Sequence, residues 1–225
     1  MFLSLFALTT ANAQTANEGE TVSDTAQIMQ LCESGVGYLN RGDYKSAQLT
    51  HNNAINKAKA LVSDKERFLA ICYELYGDNY YFWRVWGLES TLNYADAKTY
   101  YVEAARNSIA THGENSPEVI RIYNKIGACW LLLENDENAA KWFKKALTTH
   151  KSAIVGNPKL LGLTYDSLFS TYLEIVGYFY SVKDYNNTKF YLEELLCLEE
   201  LINGDSTDIY VKLRRQLDLL EKEKK

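Results

Sequence analysis

The chain has 225 residues, of which 47% are hydrophobic and 24% charged, and this balance excludes a mostly disordered protein. Its 24 basic and 29 acidic residues give a net charge of −5, which argues against a general nucleic-acid-binding surface. Two prolines and 12 glycines are too few turn-forming residues for a β-sandwich or barrel, so we expect an all-α fold. The 17 tyrosines are a surplus that this fold has to explain.

The N-terminus is typical of the end of a secretory signal peptide. An apolar run from Phe2 to Leu8 leads to the triplet Ala11-Asn12-Ala13, which has the small residues of a cleavage site. No lysine or arginine precedes Arg41, so we expect translation to start further upstream. We therefore predict a signal peptide at 1–13, a flexible leader at 14–22, and export to the periplasm or the medium. An ordinary apolar turn is the alternative, and no stretch is long enough to span a membrane.

A pattern of small residues recurs along the chain. A glycine is followed by one alanine after 12 residues and by another after 7 more, at Gly35, Ala47 and Ala54 and again at Gly127, Ala139 and Ala146. A third copy has eight additional residues between its first two members and consists of Gly77, Ala97 and Ala104. A weaker fourth copy consists of Val176, Thr188 and Leu195. Small residues are needed where two antiparallel helices pack closely, and large rings fill the space between such points. Four helical pairs are predicted.

Rings recur at fixed places in these copies. Tyr101 and Phe143 occupy equivalent positions, and His51 stands at the same place in the first copy. This spacing predicts that His51 is a core residue and that the tyrosine surplus is largely a count of repeats. A final amphipathic segment has an apolar stripe, formed by Ile209, Leu213, Leu217 and Leu220. We expect it to cap the array, since a solenoid needs a solvated end.

The pattern resembles the tetratricopeptide repeat (TPR) family over about residues 24–202. That resemblance implies a right-handed, all-α solenoid, here with a repeat domain at 23–205 and a capping helix at 206–225. The glycines are 42 and 50 residues apart, from Gly35 to Gly77 and from Gly77 to Gly127, whereas the family repeat is about 34 residues long. Longer helices or inserted loops are therefore expected.

The resemblance also implies a concave groove that is lined by the first helix of each repeat and receives a protein or peptide. The predicted groove residues are Glu74, Asp78, Tyr81, Phe82, Arg121, Asn124, Lys125 and Tyr180, with Leu132 and Glu174 beside them. Arg121 and Lys125 match two basic positions of the carboxylate clamp of chaperone-binding members. Three other clamp positions carry Cys32, Val36 and Leu75 in place of lysine and asparagines, so we reject a chaperone clamp. A solvated helix face is the alternative for Arg121 and Lys125.

An aromatic insertion lies in the copy that begins at Gly77, which is the second in chain order. Residues 80–86 hold five aromatic side chains among seven positions, including Trp83 and Trp86, and these cannot all face one side of a helix. Core filling around an extended helix is one interpretation, and an exposed aromatic patch is the other. The patch and the degenerate fourth repeat also offer surfaces for a homodimer.

The sequence contains no recognisable catalytic, cofactor-binding or metal-binding motif. The four cysteines are 40 or more residues apart without a CxxC pair, and no phosphate loop or hydrolase motif occurs, so we expect no catalytic residue, cofactor or metal. The predicted function is a binding scaffold for a protein or peptide. Two alternatives are a sensory or docking module of an envelope signalling assembly and an enzyme without a recognisable motif.

Overall fold

A computed structural model describes residues 21–86, 92–157 and 159–223. Within these ranges the chain forms nine α-helices and no strand. The helices are α1 (Thr21–Asn40), α2 (Tyr44–Ala60), α3 (Lys65–Trp86), α4 (Leu92–His112), α5 (Pro117–Leu132), α6 (Asp136–Gly156), α7 (Leu160–Ser181), α8 (Tyr185–Asn203) and α9 (Asp208–Glu223). The predicted signal peptide at 1–13 and most of the predicted leader lie outside the described residues.

Every helix packs against the next one along the chain, so the array is built from four helical pairs and a final helix. First helices of neighbouring repeats are also in contact, α1 with α3 and α5 with α7. The predicted all-α solenoid is confirmed. We use the name odd-helix face for the surface that three first helices, α3, α5 and α7, contribute to. Its residues are Glu74, Asp78, Arg121, Lys125, Leu132, Leu173, Glu174 and Tyr180.

The small residues set the distance between paired helices, as the sequence predicts. A Cβ atom added to Gly77 would lie 2.7 Å from the ring of Tyr101, and one added to Gly127 would lie 2.6 Å from the ring of Phe143. In the first pair the ring of His51 takes the same place over Gly35 and is fully buried. Three rings of the second helices thus pack directly onto three glycines of the first helices.

The turns within three of the pairs share one geometry. A residue in the left-handed region follows the first helix, namely Gly42, Glu134 or Lys183, with φ of 75°, 56° and 59°. The next residue caps the second helix, because a side-chain oxygen of Asp43, Asn135 or Asp184 accepts a backbone N–H three residues later at 3.1 Å. Such caps satisfy donors that the helix itself leaves open.

The extra residues of the second pair lengthen its helices. Helix α3 runs nine residues past Gly77, whereas α1 and α5 end five residues past Gly35 and Gly127. On the extension, the half-buried Trp83 stacks on Tyr44 of α2, with ring centroids 6.0 Å apart and planes 8° from parallel. Trp86 is the last residue of α3, and its side chain lies outside the described part of the chain.

The final helix covers the end of the core. Leu213, Leu217 and Leu220 are buried, and Thr207 caps the helix by accepting the N–H of Tyr210 at 3.0 Å. The predicted stripe is wrong at Ile209, which is 42% exposed, because the partly buried Tyr210 packs against the core instead. Among the described residues, we find no helix whose length and apolar character would suit a membrane span.

Candidate binding face

The charged residues that the sequence places in a groove pair with one another. Glu74 and Asp78 lie one turn apart on α3, and Arg121 and Lys125 lie one turn apart on α5. The Arg121 guanidinium donates to both carboxylate oxygens of Glu74, Nε to Oε1 at 2.9 Å and Nη2 to Oε2 at 2.7 Å. The Lys125 ammonium donates to Asp78 at 2.7 and 3.0 Å and lies 2.9 Å from Glu74 Oε1. We call these four residues the ion-pair network.

Tyr101 of α4 contacts the network through both its hydroxyl and its ring. Its hydroxyl donates to Asp78 Oδ1 at 2.6 Å, and the Lys125 ammonium lies 5.3 Å from the centroid of its ring. The same ring fills the space over Gly77, so one side chain joins the glycine packing to the charges. Burial and the adjacent Asp78 carboxylate raise the pKa of Tyr101 well above its ordinary value, which keeps this hydroxyl a donor.

The network is largely removed from solvent. The Glu74 side chain is 9% exposed and that of Lys125 is 26% exposed. Burial by itself would raise the pKa of Glu74, but the charges of Lys125 and Arg121 outweigh this effect and hold the pKa well below its ordinary value. Glu74, Arg121 and Lys125 are therefore charged at neutral pH. Both cations of α5 are paired with carboxylates of the chain itself.

Aromatic side chains border the network on α3. The rings of Tyr81 and Phe82 meet edge to face at 5.3 Å, and Tyr81 also contacts the ring of Tyr94 at 5.9 Å. Burial, with a contribution from the Glu174 carboxylate on α7, raises the pKa of Tyr81 to about 12. The Glu174 carboxylate therefore acts electrostatically on Tyr81, although the two residues belong to different repeats. Asn124 is half-buried on α5, between the two cations in sequence.

Open side chains continue the odd-helix face beyond the network. Leu132 of α5 is 37% exposed, and Leu173 and Tyr180 of α7 are 43% and 50% exposed. The Tyr180 ring meets Tyr185 at a centroid distance of 6.2 Å. Glu174 is open to solvent, yet the surrounding helices desolvate it enough to raise its pKa. The face thus combines exposed apolar groups with a carboxylate.

The sequence contains a signal for the ion-pair network. An acidic pair at i and i+4 and a basic pair at i and i+4 lie on first helices of neighbouring repeats, and both cross-pairs are 47 residues apart. Residue types alone do not fix the offset between the two helices, because the insertion in the second pair hides it. The sequence does not predict the exposure of Leu173 either, since the fourth repeat has Val176 in place of the glycine that would set the register.

A cysteine, a histidine and an asparagine come together in the core. Asn79 Nδ2 lies 2.9 Å from His51 Nδ1, and His51 Nε2 lies 3.4 Å from the carbonyl oxygen of Cys32. These residue types can form a hydrolytic site. Here all three are fully buried, and burial lowers the pKa of His51, which keeps the ring neutral. The Cys32 thiol faces Cys72 rather than the histidine, so the cluster serves packing.

The arrangement of acidic and sulfur groups also bears on metal binding. Among the described residues, no three histidine, cysteine, aspartate or glutamate side chains are grouped so that they could hold a metal ion. The carboxylates of Glu74 and Asp78 already have cationic partners.

Comparison with known proteins adds evidence on the fold. No protein-family profile matches the sequence, and no curated protein sequence matches it. The structure is similar to that of BtubC (BKLC) from P. vanneervenii, with 20% identity, a TM-score of 0.69, and coverage of 90% of this chain and 75% of that one. PilF of Pseudomonas aeruginosa is 16% identical, with a TM-score of 0.34 over 88% of this chain and 93% of that one. At these identities the similarity to BtubC concerns the fold.

Proposed function

We propose that this chain is a binding scaffold that holds a segment of a partner protein on its odd-helix face and catalyses no reaction. The observation that carries the proposal is that first helices of three consecutive repeats adjoin, α3 and α5 through the ion-pair network and α5 and α7 by direct contact, and that Leu132, Leu173 and Tyr180 on α5 and α7 are exposed. A network of paired charges between two helices fixes their relative position. The exposed side chains beside it are thereby held at defined distances, which lowers the entropy cost of binding.

Charge favours a basic partner segment. The cations of α5 are already paired with Glu74 and Asp78, so an acidic segment would have to displace these carboxylates from their partners. Glu174 offers an exposed carboxylate on α7, which suits a lysine or arginine side chain of the partner. The chain's net charge of −5 adds a weak long-range attraction for a positively charged segment.

The test is a selection of random peptides displayed on phage against the immobilised protein, followed by titration of the enriched peptides by isothermal calorimetry. We expect peptides that carry basic and apolar residues to be enriched. Leu132→Ser and Glu174→Lys should each weaken the enriched peptides by about tenfold or more, because they remove an apolar contact and reverse a charge on the face.

A matched control comes from an even-numbered helix, which does not contribute to the odd-helix face. Leu49 of α2 is also an exposed leucine, at 64%, and Leu49→Ser should leave affinity unchanged. Equal loss from Leu49→Ser and Leu132→Ser would place binding elsewhere and contradict the proposed face. Enrichment of acidic peptides would contradict the charge preference, and failure to enrich any peptide would count against the scaffold itself.

A further inference from the structure

Two buried thiols lie against each other between the first two repeats. Cys32 of α1 and Cys72 of α3 are both fully buried, and their sulfur atoms are 3.7 Å apart. The two residues are separated by 40 positions, and α2 lies between them in sequence. Their helices are in direct contact, so the thiols sit at the joint between repeats.

We propose that Cys32 and Cys72 are a disulfide site, which is oxidised as the protein folds in a compartment that supplies disulfide oxidants and which then locks α1 onto α3. A disulfide brings its sulfur atoms to about 2.05 Å, so they need to approach by about 1.7 Å. We expect rotation about the Cα–Cβ bonds, together with a small shift of α1, to provide that movement. The signal-peptide pattern at residues 1–13 predicts a compartment of this kind.

The reaction is a thiol–disulfide exchange with an oxidant that itself carries a disulfide, such as oxidised glutathione or a dithiol oxidoreductase. One cysteine thiolate attacks the oxidant, the oxidant's S–S bond breaks, and a mixed disulfide forms as the first oxidant thiolate leaves. The second cysteine thiolate then attacks the protein sulfur of the mixed disulfide and releases the second oxidant thiolate. Two electrons reduce the oxidant, and the two cysteine protons end on its two thiols.

Burial decides when this exchange takes place. The contact with Cys32 and desolvation both raise the pKa of the Cys72 thiol, so the reactive thiolate is scarce in the closed fold. An oxidant also has no access to either sulfur while α1 is docked. Oxidation therefore accompanies folding, or follows a transient detachment of α1, and the completed bridge is protected from reductants by the same burial.

The experiment refolds the full chain from urea in a glutathione redox buffer, blocks free thiols with N-ethylmaleimide, and maps the tryptic peptides by mass spectrometry. We expect a Cys32–Cys72 linked peptide whose mass is lower by two hydrogen atoms than the sum of its parts. Closing a loop of this length should raise the melting temperature of the oxidised protein by roughly 10 °C over the reduced protein.

Two variants separate the bridge from other effects of oxidation. Cys72→Ala should show no difference in melting temperature between oxidising and reducing buffers, whereas Cys129→Ala, which alters another fully buried cysteine, should keep the whole difference. Separate maleimide-labelled peptides of Cys32 and Cys72 after oxidative refolding of the unaltered chain would overturn the proposal. A bridge that lowers the melting temperature would overturn it as well, and neither readout depends on the folding of a variant.

Discussion

At the scale of single residues, three glycines determine how closely paired helices approach. The rings of His51, Tyr101 and Phe143 occupy the space that a side chain at Gly35, Gly77 or Gly127 would need. Protein cores are packed so densely that one added methyl group forces neighbouring atoms to move. These positions are therefore constrained by volume and not by backbone conformation, since all three glycines lie inside helices.

The clearest test uses two glycines within first helices. Gly127→Ala would place Cβ 2.6 Å from the Phe143 ring and should lower the free energy of unfolding by about 1–3 kcal/mol. Gly177→Ala in α7 meets nothing within 4 Å and should raise it by about 0.5–1 kcal/mol, because alanine favours the helix. Urea denaturation followed by circular dichroism measures both values. Equal effects at the two positions would contradict the packing role of Gly127.

The glycine and ring pattern could be predicted from the sequence because its causes are local. Each glycine and its ring belong to consecutive helices that only a few residues separate in sequence, so the spacing in sequence fixes the contact in space. The ion-pair network could not be found in this way. Arg121 and Glu74 belong to different repeats, and their contact depends on how far α5 is shifted along α3, which an insertion of eight residues obscures.

At the scale of elements, one turn geometry serves three of the helical pairs with three different residues. The left-handed position is glycine in the first pair, at Gly42, but glutamate and lysine in the third and fourth, at Glu134 and Lys183. A residue with a Cβ atom is strained in this region, whereas glycine is not. The capping residue that follows supplies a compensating hydrogen bond. The two later turns are therefore formed despite an unfavourable residue.

Replacing Lys183 by glycine should relieve this strain. We expect Lys183→Gly to raise the free energy of unfolding by about 0.5–1 kcal/mol, with part of the gain offset by the greater freedom of glycine in the unfolded chain. Lys183→Ala removes the same charge but keeps Cβ, so it should give no such gain. Equilibrium urea denaturation of the three proteins decides the matter, and an increase with alanine equal to that with glycine would rule out backbone strain as the cause.

At the scale of the whole molecule, the ion-pair network joins the first half of the array to the second. A solenoid has few contacts beyond neighbouring repeats, so its stability depends on each interface between them. The interface of the second and third repeats contains four charges, of which Glu74, Asp78 and Lys125 are mostly buried and Arg121 is one-third exposed. Removing one partner of such a group leaves another charge buried without compensation, and this costs more than the intact pairing contributes.

Lys125→Met removes the cation that contacts both Glu74 and Asp78 while keeping most of its volume. We expect it to lower the free energy of unfolding at pH 7 by about 2–4 kcal/mol. The control is Lys141→Met, because the ammonium of Lys141 pairs with Glu137 on the surface, where both side chains are more than half exposed. That substitution should change the free energy by less than about 0.5 kcal/mol. Urea denaturation measures both.

Acid should erase part of the Lys125→Met effect, and the sign follows from Glu74. The folded-state pKa of Glu74 lies near 2, below its ordinary value of 4.5, so the unfolded chain binds more protons between these values. The stabilisation is therefore complete above about pH 4.5 and is lost as the pH falls toward 2. Without Lys125 this pKa is less depressed, so the stability difference between the natural chain and the variant should shrink from pH 7 to pH 3. A difference that stays constant over this range would show that Lys125 contributes through packing and not through charge.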